Sequence, residues 1–358
     1  MRALVSATIS IAALRHNLAA IRRQASRSKI MAVVKANAYG HGLAAVAQAL
    51  GEADAFAVAR IEEGLVLRSA GITRPIVLLE GVFDCEQLAG AAQGRFDLVV
   101  HSAEQLDLLR AAPAGARFTV WLKLDTGMNR LGFRPNRFEA ARAALARLAC
   151  VEQPVRLCTH MANADTPEHP GTLQQLALFE RACAGLLGER SVANSAALFA
   201  FPQSQCDWVR PGLALFGVSP FGDKLGADLG LLPVMTLRTR IIALKTLEAG
   251  ESVGYGSLWT ARRRTRLAIA AVGYGDGYPR NVISNTQVLV AGRRAPLAGR
   301  VSMDMIGIDT TDVPDIQCGA EVVLWGEGLP VERVASCAGT VPYELLCGIS
   351  QRVAVDLI

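Results

Sequence analysis

The chain has 358 residues, 51% of them hydrophobic and 19% charged, with a formal charge of +5; this suits one large or two ordinary domains around a sizeable core. Its densest basic runs, Arg262-Arg263-Arg264 and Arg293-Arg294, are too short for a nucleic-acid footprint and read as solvated faces, so no nucleic-acid partner is expected. No run of eighteen apolar residues occurs, so no membrane span is expected.

The opening segment, MRALVSATISIAALRHN, is interrupted by Thr8 and Ser10 and has no small-residue cleavage site, which argues against a signal peptide. Within it, Leu4 to Ile9 is strand-like and could pair with either part of the molecule. The next two-thirds repeats one unit: a short apolar run, a polar break and a helical stretch. The runs are Ile30 to Lys35, Ala55 to Ala59, Ile76 to Leu79, Leu98 to Val100, Phe118 to Leu124, Val155 to Thr159, Ser191 to Asn194 and Trp208 to Phe216. Each is short enough for a buried strand, and most are β-branched. Amphipathic segments such as Ser102–Arg110, Arg137–Leu148 and Leu173–Leu187 lie between them, and Ser102 with Gln105 reads as a capping box. Eight strand–helix units in about 200 residues predict a (β/α)8 TIM-type barrel over residues 1–232. From Pro233 the pattern alternates with period two (Met235–Leu247, Thr265–Val272, Gln287–Val290, Val301–Asp309, Glu321–Leu324). Residues 233–358 are therefore expected to form a smaller, mainly antiparallel β domain. Cys85, Cys150, Cys158, Cys183, Cys206, Cys318, Cys337 and Cys347 form no CxxC pair. They read as small buried hydrophobes in a reducing cytoplasm, with neither disulfides nor a metal site.

A barrel of this kind carries its active site at the carboxyl ends of its strands. Those ends deliver Lys35, Arg60, Glu80, His101, the Lys123–Asp125–Arg130 cluster, His160, Asn194-Ser195 and Arg210. A lone lysine closing a strand is usually surface. Lys35, however, follows a largely apolar run and precedes Asn37, Tyr39, Gly40, His41 and Gly42, so partial desolvation would free its amine for Schiff-base chemistry. Tyr39, at the start of the next helix, would point its hydroxyl to the same mouth. Read alone, Arg130 could simply pair with Asp125, His160 could be a satisfied strand-end histidine, and Tyr255 between two glycines could be a turn aromatic.

The segment AVVKANAYGHG resembles the cofactor-lysine segment of bacterial alanine racemases, and the resemblance runs from ALRHN to the final strand with no departure at a catalytic position. It implies that Lys35 carries pyridoxal 5′-phosphate (PLP) covalently and that Tyr39 contacts its phosphate. KLDTGMNRLGF is similar to the substrate-arginine motif, which implies that Arg130 binds the substrate carboxylate, a task suited to a planar two-point fork. Lys123 matches a position that is carbamylated in some members. RSVANSAAL and DWVRPGLALFG match the phosphate cradle at Ser195, Gly212 and the Leu213 amide, and place Arg210 on the pyridine nitrogen with His160 beside it. An arginine cannot readily give up a proton, so that nitrogen would stay unprotonated.

In the second domain ESVGYGSLW implies that Tyr255 is the catalytic tyrosine. Tyr274, Met303 and Asp304 resemble substrate-pocket residues, and Tyr343 in VPYELLC would reach the phosphate. Racemisation needs a proton taken from one face of the α-carbon and returned on the other, hence two bases. The resemblance gives Lys35 the D-enantiomer and Tyr255 the L-enantiomer, with positive charge from a His160–Arg210 chain assisting the tyrosine. It also implies a homodimer with shared active sites, L- and D-alanine as substrates, and a role in peptidoglycan supply or alanine catabolism. A racemase of another small amino acid such as serine is the alternative. A decarboxylase on the same scaffold would lack the VGYG tyrosine, and a binding protein that keeps only the barrel would lack the 125 or so residues after Pro233.

Overall fold

The computed structural model describes residues 3–358. After the first strand, β1 (Ser6–Ile9), eight parallel strands follow: β2 (Lys29–Val33), β3 (Ala55–Val58), β4 (Ile76–Leu78), β5 (Asp97–Val100), β6 (Val120–Lys123), β7 (Arg156–Cys158), β8 (Arg190–Asn194) and β9 (Trp208–Arg210). They pair in sequence order and close into a barrel where Lys29 meets Trp208 and Ile30 meets Val209. The strands are buried on both faces, which is why they read as unbroken apolar runs rather than as alternation. The eighth run overshoots: Trp208 to Phe216 is a three-residue strand followed by a buried 3-10 turn at Leu213–Phe216. The Ser102–Gln105 capping box is not formed. Gln105 Oε1 instead accepts from the His101 amide, one residue earlier (2.9 Å), and Ser102 makes no side-chain cap.

The remaining strands build the smaller domain: β10 (Met235–Leu247), β11 (Ser252–Val253), β12 (Trp259–Thr260), β13 (Thr265–Ala270), β14 (Gln287–Val290), β15 (Arg293–Pro296), β16 (Ile306–Asp309), β17 (Glu321–Trp325) and β18 (Ala354–Leu357). The long β10 serves two groups of partners. Its first half lies between β1 and β17, and after an irregularity at Ile241–Ala243 its second half pairs with β13. The strand-like segment before the barrel thus joins the second sheet, antiparallel to β10 and parallel to β18. The run Val301–Asp309 is a strand only from Ile306, because Ser302 to Met305 forms a turn.

Two features bring the domains together at the barrel mouth. The helix Ile11–Gln24 buries Leu14, Leu18 and Ile21 at helical spacing, and among them Asn17. Asn17 donates to the carbonyls of Leu215 and Leu232 and accepts from the Leu232 amide, tying the end of the barrel to the start of the second domain. Late in the chain, the helices Val331–Ala338 and Pro342–Cys347 return to the mouth, where Ser336, Thr340, Tyr343 and Cys347 line its cavity. The expectation of buried cysteines is corrected: only Cys158 and Cys183 are fully buried, Cys85, Cys318 and Cys347 are exposed, and all eight are free.

Candidate active site

A cavity of about 900 Å³ opens at the carboxyl ends of the barrel strands, a size suited to a cofactor together with a small substrate. Lys35, Glu80, Lys123, Arg130, His160, Asn194, Ser195 and Arg210 line it, as do Tyr39, Gly212, Leu213 and Tyr343. Three expected strand-end residues do not. Arg60 is exposed to solvent, His101 donates Nε2–H to the Glu80 carbonyl (3.0 Å), and Asp125 turns into its own loop.

Lys35 stands two residues past β2, and the chain then makes a left-handed turn. Ala36, Asn37, Ala38 and Tyr39 all have φ near +53°, and Gly40 follows at +80°. For L-residues that conformation costs roughly 1–2 kcal/mol each, so surrounding bonds must hold it. The Ala36 amide donates to Glu63 Oε1 (2.6 Å), Asn37 Oδ1 accepts from the Leu43 amide (2.8 Å), and buried His41 bonds through Nδ1 to the carbonyls of Tyr39 and Ala38. Gly40 is required for a second reason, because a Cβ there would collide with the Leu346 carbonyl of the returning helix. Tyr39 therefore ends a strained turn rather than starting the next helix. Its ring is buried against Phe216, and burial, with Tyr343 and Cys347 nearby, raises its hydroxyl well above the usual tyrosine range.

The opposite wall is built by β8 and β9. Ser195 Oγ accepts from the amides of Gly212 (3.0 Å) and Ala214 (3.3 Å), so its own proton is free for a ligand. A Cβ at Gly212 would run into the Tyr39 hydroxyl, so glycine lets the two sides of the cradle meet. The hydroxyl end of Tyr343 is pushed up to about 12 by burial and by Asp165.

Arg210 is only 8% exposed and has hydroxyl and carbonyl partners where a buried guanidinium usually has a carboxylate. Nη1 donates to Ser191 Oγ (2.7 Å), and Nη2 to the carbonyls of Thr159 (2.6 Å) and Val192 (3.3 Å). Among the described residues its Nε–H has no acceptor, and it is not sealed from the cavity. Nη2 also meets His160 Nδ1 at 3.3 Å. Since a guanidinium only donates, Nδ1 accepts, and the neutral ring carries its proton on Nε2. Burial first, then Arg210 and Lys123, hold His160 well below the usual histidine range, so it is neutral near pH 7. The expected His160–Arg210 pair is thus formed, although Ser191 and Thr159, which no sequence signal singled out, hold the arginine more closely.

Arg130 is not spent on Asp125. Asp125 Oδ1 accepts from the amides of Gly127 and Asn129 (both 3.0 Å), and its other oxygen lies 3.8 Å from Arg134. Asp125 folds the loop; Arg130 is left facing the cavity. Lys123 also faces it, and burial lowers its ammonium pKa, with Arg210, Arg130 and Lys35 acting the same way. Among the described residues, none of Lys35, Lys123, Arg130 and Arg210 has a carboxylate within 4 Å.

Four residues expected from the second domain lie elsewhere. Tyr255, in the turn between β11 and β12, is 69% exposed; Tyr274 and Met303 are exposed too, and none of them lines this chain's cavity. The Tyr274 amide donates to the Ser302 carbonyl, and Asp304 pairs with Arg352 (2.8 Å). Gly275, next to Tyr274, packs on Met303, and Gly254, next to Tyr255, lies beside the Arg300 backbone.

Residues 9–220 match the family model described as alanine racemase, N-terminal domain, and residues 234–356 that described as alanine racemase, C-terminal domain. An alanine racemase of Aeromonas hydrophila is 53% identical over 352 residues, covering 98% of this chain and 99% of its own. A biosynthetic alanine racemase of Escherichia coli K12 is 50% identical, covering 97% of each chain. The crystal structure of the biosynthetic alanine racemase of Pseudomonas aeruginosa superposes with a TM-score of 0.97 at 45% identity, covering all of both chains.

Proposed function

The chain belongs to the alanine racemase family, and on that premise we propose that it interconverts L- and D-alanine at the barrel mouth with PLP bound to Lys35. The observation that carries this reading is the cation cluster of Lys35, Lys123, Arg130 and Arg210, unpaired around a cavity of about 900 Å³. Arg210 is buried, Lys35 and Lys123 are half-buried and Arg130 is exposed; positive charge gathered at a cavity without a protein counter-ion is a standing site for an anion.

The residues present suit PLP. An amine, a cradle of free hydroxyls at Tyr39, Ser195 and Tyr343 with the Leu213 amide, and the unused Nε–H of Arg210 match an aldehyde, a phosphate and a ring nitrogen. When bound, PLP supplies an electron sink that makes the substrate α-hydrogen acidic. The protein's part is to bind, orient and move protons. Arg130 holds the alanine carboxylate by its two-point fork, and Lys123, amine or carbamate, braces it. Arg210 presents a donor that keeps its proton, and neutral His160 holds it in place. Lys35 Nζ carries the α-proton on one face, serving D-alanine. Tyr255 Oη carries it on the other, serving L-alanine.

Because Tyr255 is exposed and outside its own chain's cavity, a second copy is the natural donor of that hydroxyl. We accordingly read the enzyme as a homodimer with shared sites, Tyr274, Met303 and Asp304 flanking the tyrosine at the substrate entrance. The Escherichia coli and Pseudomonas aeruginosa relatives are both named biosynthetic, which favours D-alanine supply for peptidoglycan in the cytoplasm over catabolism. No helix among the described residues is long and apolar enough to cross a membrane.

The test is to incubate the purified protein and PLP with L-alanine or L-serine in deuterated water. Circular dichroism would follow loss of optical activity, and mass spectrometry deuterium at the α-carbon. Alanine should racemise with one deuterium gained, faster than serine by on the order of 10². No conversion, or serine preferred, would overturn the reading.

A further inference from the structure

Gln175 belongs to the helix Gly171–Ala182, behind the cavity rather than in its wall, and is only 4% exposed. Its amide is fully used. Oε1 accepts from the Ala162 amide (2.9 Å), while Nε2 donates to Thr126 Oγ1 (3.0 Å) and to the His160 carbonyl (3.0 Å). A buried amide with every strong bond satisfied is costly to disturb, because each lost partner leaves another buried polar group unpaired.

Those bonds close a ring. Thr126 Oγ1 lies 2.8 Å from Thr159 Oγ1, the Thr159 carbonyl accepts from Arg210 Nη2 (2.6 Å), the same nitrogen meets His160 Nδ1 (3.3 Å), and the His160 carbonyl returns to Gln175. The ring spans the ends of three strands: β6 through Thr126, β7 through Thr159 and His160, and β9 through Arg210. The β6 arm continues into the loop that carries Arg130, and a Cβ on Gly127 of that loop would sit 3.6 Å from the Gln175 side chain.

We infer that Gln175 is a positioning residue that fixes the Arg130 loop and the His160–Arg210 pair in one register, so that carboxylate binding and the donor to the cofactor ring are set together. The inference rests on the roles given above to Arg130 and Arg210. Gln175 touches neither substrate nor cofactor and acts through the backbone and hydroxyl partners named. Methionine has nearly the shape of glutamine and none of its strong hydrogen bonds, so Gln175→Met keeps the packing against Gly127 and opens the ring.

The experiment compares full-length wild type and Gln175→Met by steady-state kinetics with L-alanine and by hydrogen–deuterium exchange. Displacement of a binding group by about 1 Å costs on the order of 10²-fold. The expected result is a drop of roughly 10- to 100-fold in catalytic efficiency, with KM raised, and faster exchange confined to amides in 126–130 and 159–162. Wild-type kinetics with wild-type exchange at those amides overturns the inference. So does faster exchange throughout the chain, because that is what a merely structural residue would produce. If Gln175→Met does not fold, Thr126→Val opens the same ring at Thr126, removing the bonds to Gln175 and Thr159; it must show the same confined effect, and unchanged kinetics there overturns the inference equally. A wild-type chain that racemised nothing would count against the reading of the reaction, whereas exchange at 126–130 and 159–162 would still report on the ring.

Discussion

The two ends of the barrel hold the same kinds of charged residue and treat them oppositely. At the amino ends of the strands Arg156 lies 3.2 Å from Asp97 and 2.9 Å from Glu189, with Lys29 2.6 Å from the other Glu189 oxygen. The Arg156 guanidinium also sits 5.2 Å from the Trp121 ring and 5.8 Å from that of Trp208. Both of these cations have an anion and an aromatic face, Lys29 lying 5.1 Å from the Trp208 ring, and Arg190 at the start of β8 is paired with Glu180. At the carboxyl ends Lys35, Lys123, Arg130 and Arg210 have neither a carboxylate within 4 Å nor a ring beneath them. Trp121 separates the two, lining the cavity as well as packing on Arg156. Charges balanced within the protein make a floor that holds; charges left unbalanced mark where a ligand completes the structure.

The comparison breaks most severely at Lys35. Lys35→Ala should abolish visible cofactor absorbance and lower kcat/KM by about 10⁴-fold or more, since on the proposed reading the variant loses both the attachment point and one of the two bases. The unfolding midpoint without PLP should hardly move, because the amine has no salt-bridge partner among the described residues. Retained absorbance that borohydride fixes on another lysine would refute the assignment.

A second test sharpens what the mouth lacks. On the proposed reading each chain brings one base, Lys35, to its own cavity and carries the other, Tyr255, on an exposed face. Lys35→Ala and Tyr255→Phe should each be inactive alone. Mixed and exchanged into heterodimers, they should regain up to about half the wild-type rate, because one of the two shared sites then holds both intact residues. No recovery, with heterodimers confirmed by differential tags, would place the tyrosine in its own chain's site.

The barrel was legible because doubly buried parallel strands are short apolar runs, and most of the mouth was legible because a barrel gathers the polar residues that close its strands, although Arg60, His101 and Asp125 close strands without lining the cavity. Other features left no such mark. The run at Trp208 to Phe216 hides the change from strand to 3-10 turn, since burial makes both apolar. Nothing in Ala36-Asn37-Ala38-Tyr39 announces a left-handed turn, which is imposed by distant partners such as Glu63. Gln175 reads as one more polar helix position until its three partners, from two other loops, surround it. Tyr255 was singled out by motif alone, and its exposure in the single chain is what supports the proposal of a second copy.

The smallest predicted effect belongs to the floor, at Asp97. Burial pushes its carboxyl up to about 6, against the pull of Arg156, whereas in an unfolded chain it titrates near 3.9. Between those values the folded protein holds a proton that the unfolded chain has released. The stabilisation from this group is therefore fully present below about pH 4 and is lost as pH rises through 6, a span on the order of 2–3 kcal/mol. Asp97→Asn has no proton to lose there, and Arg156 keeps Glu189 as its partner. Stability of wild type relative to Asp97→Asn should fall as pH is raised from about 4 to about 7, measured as the difference between their urea midpoints at each pH. Racemase activity at pH 7 should stay within about twofold, because the floor carries stability and the mouth the chemistry. Midpoints that move in parallel would mean that Asp97 is ionised throughout and that Arg156 outweighs its burial.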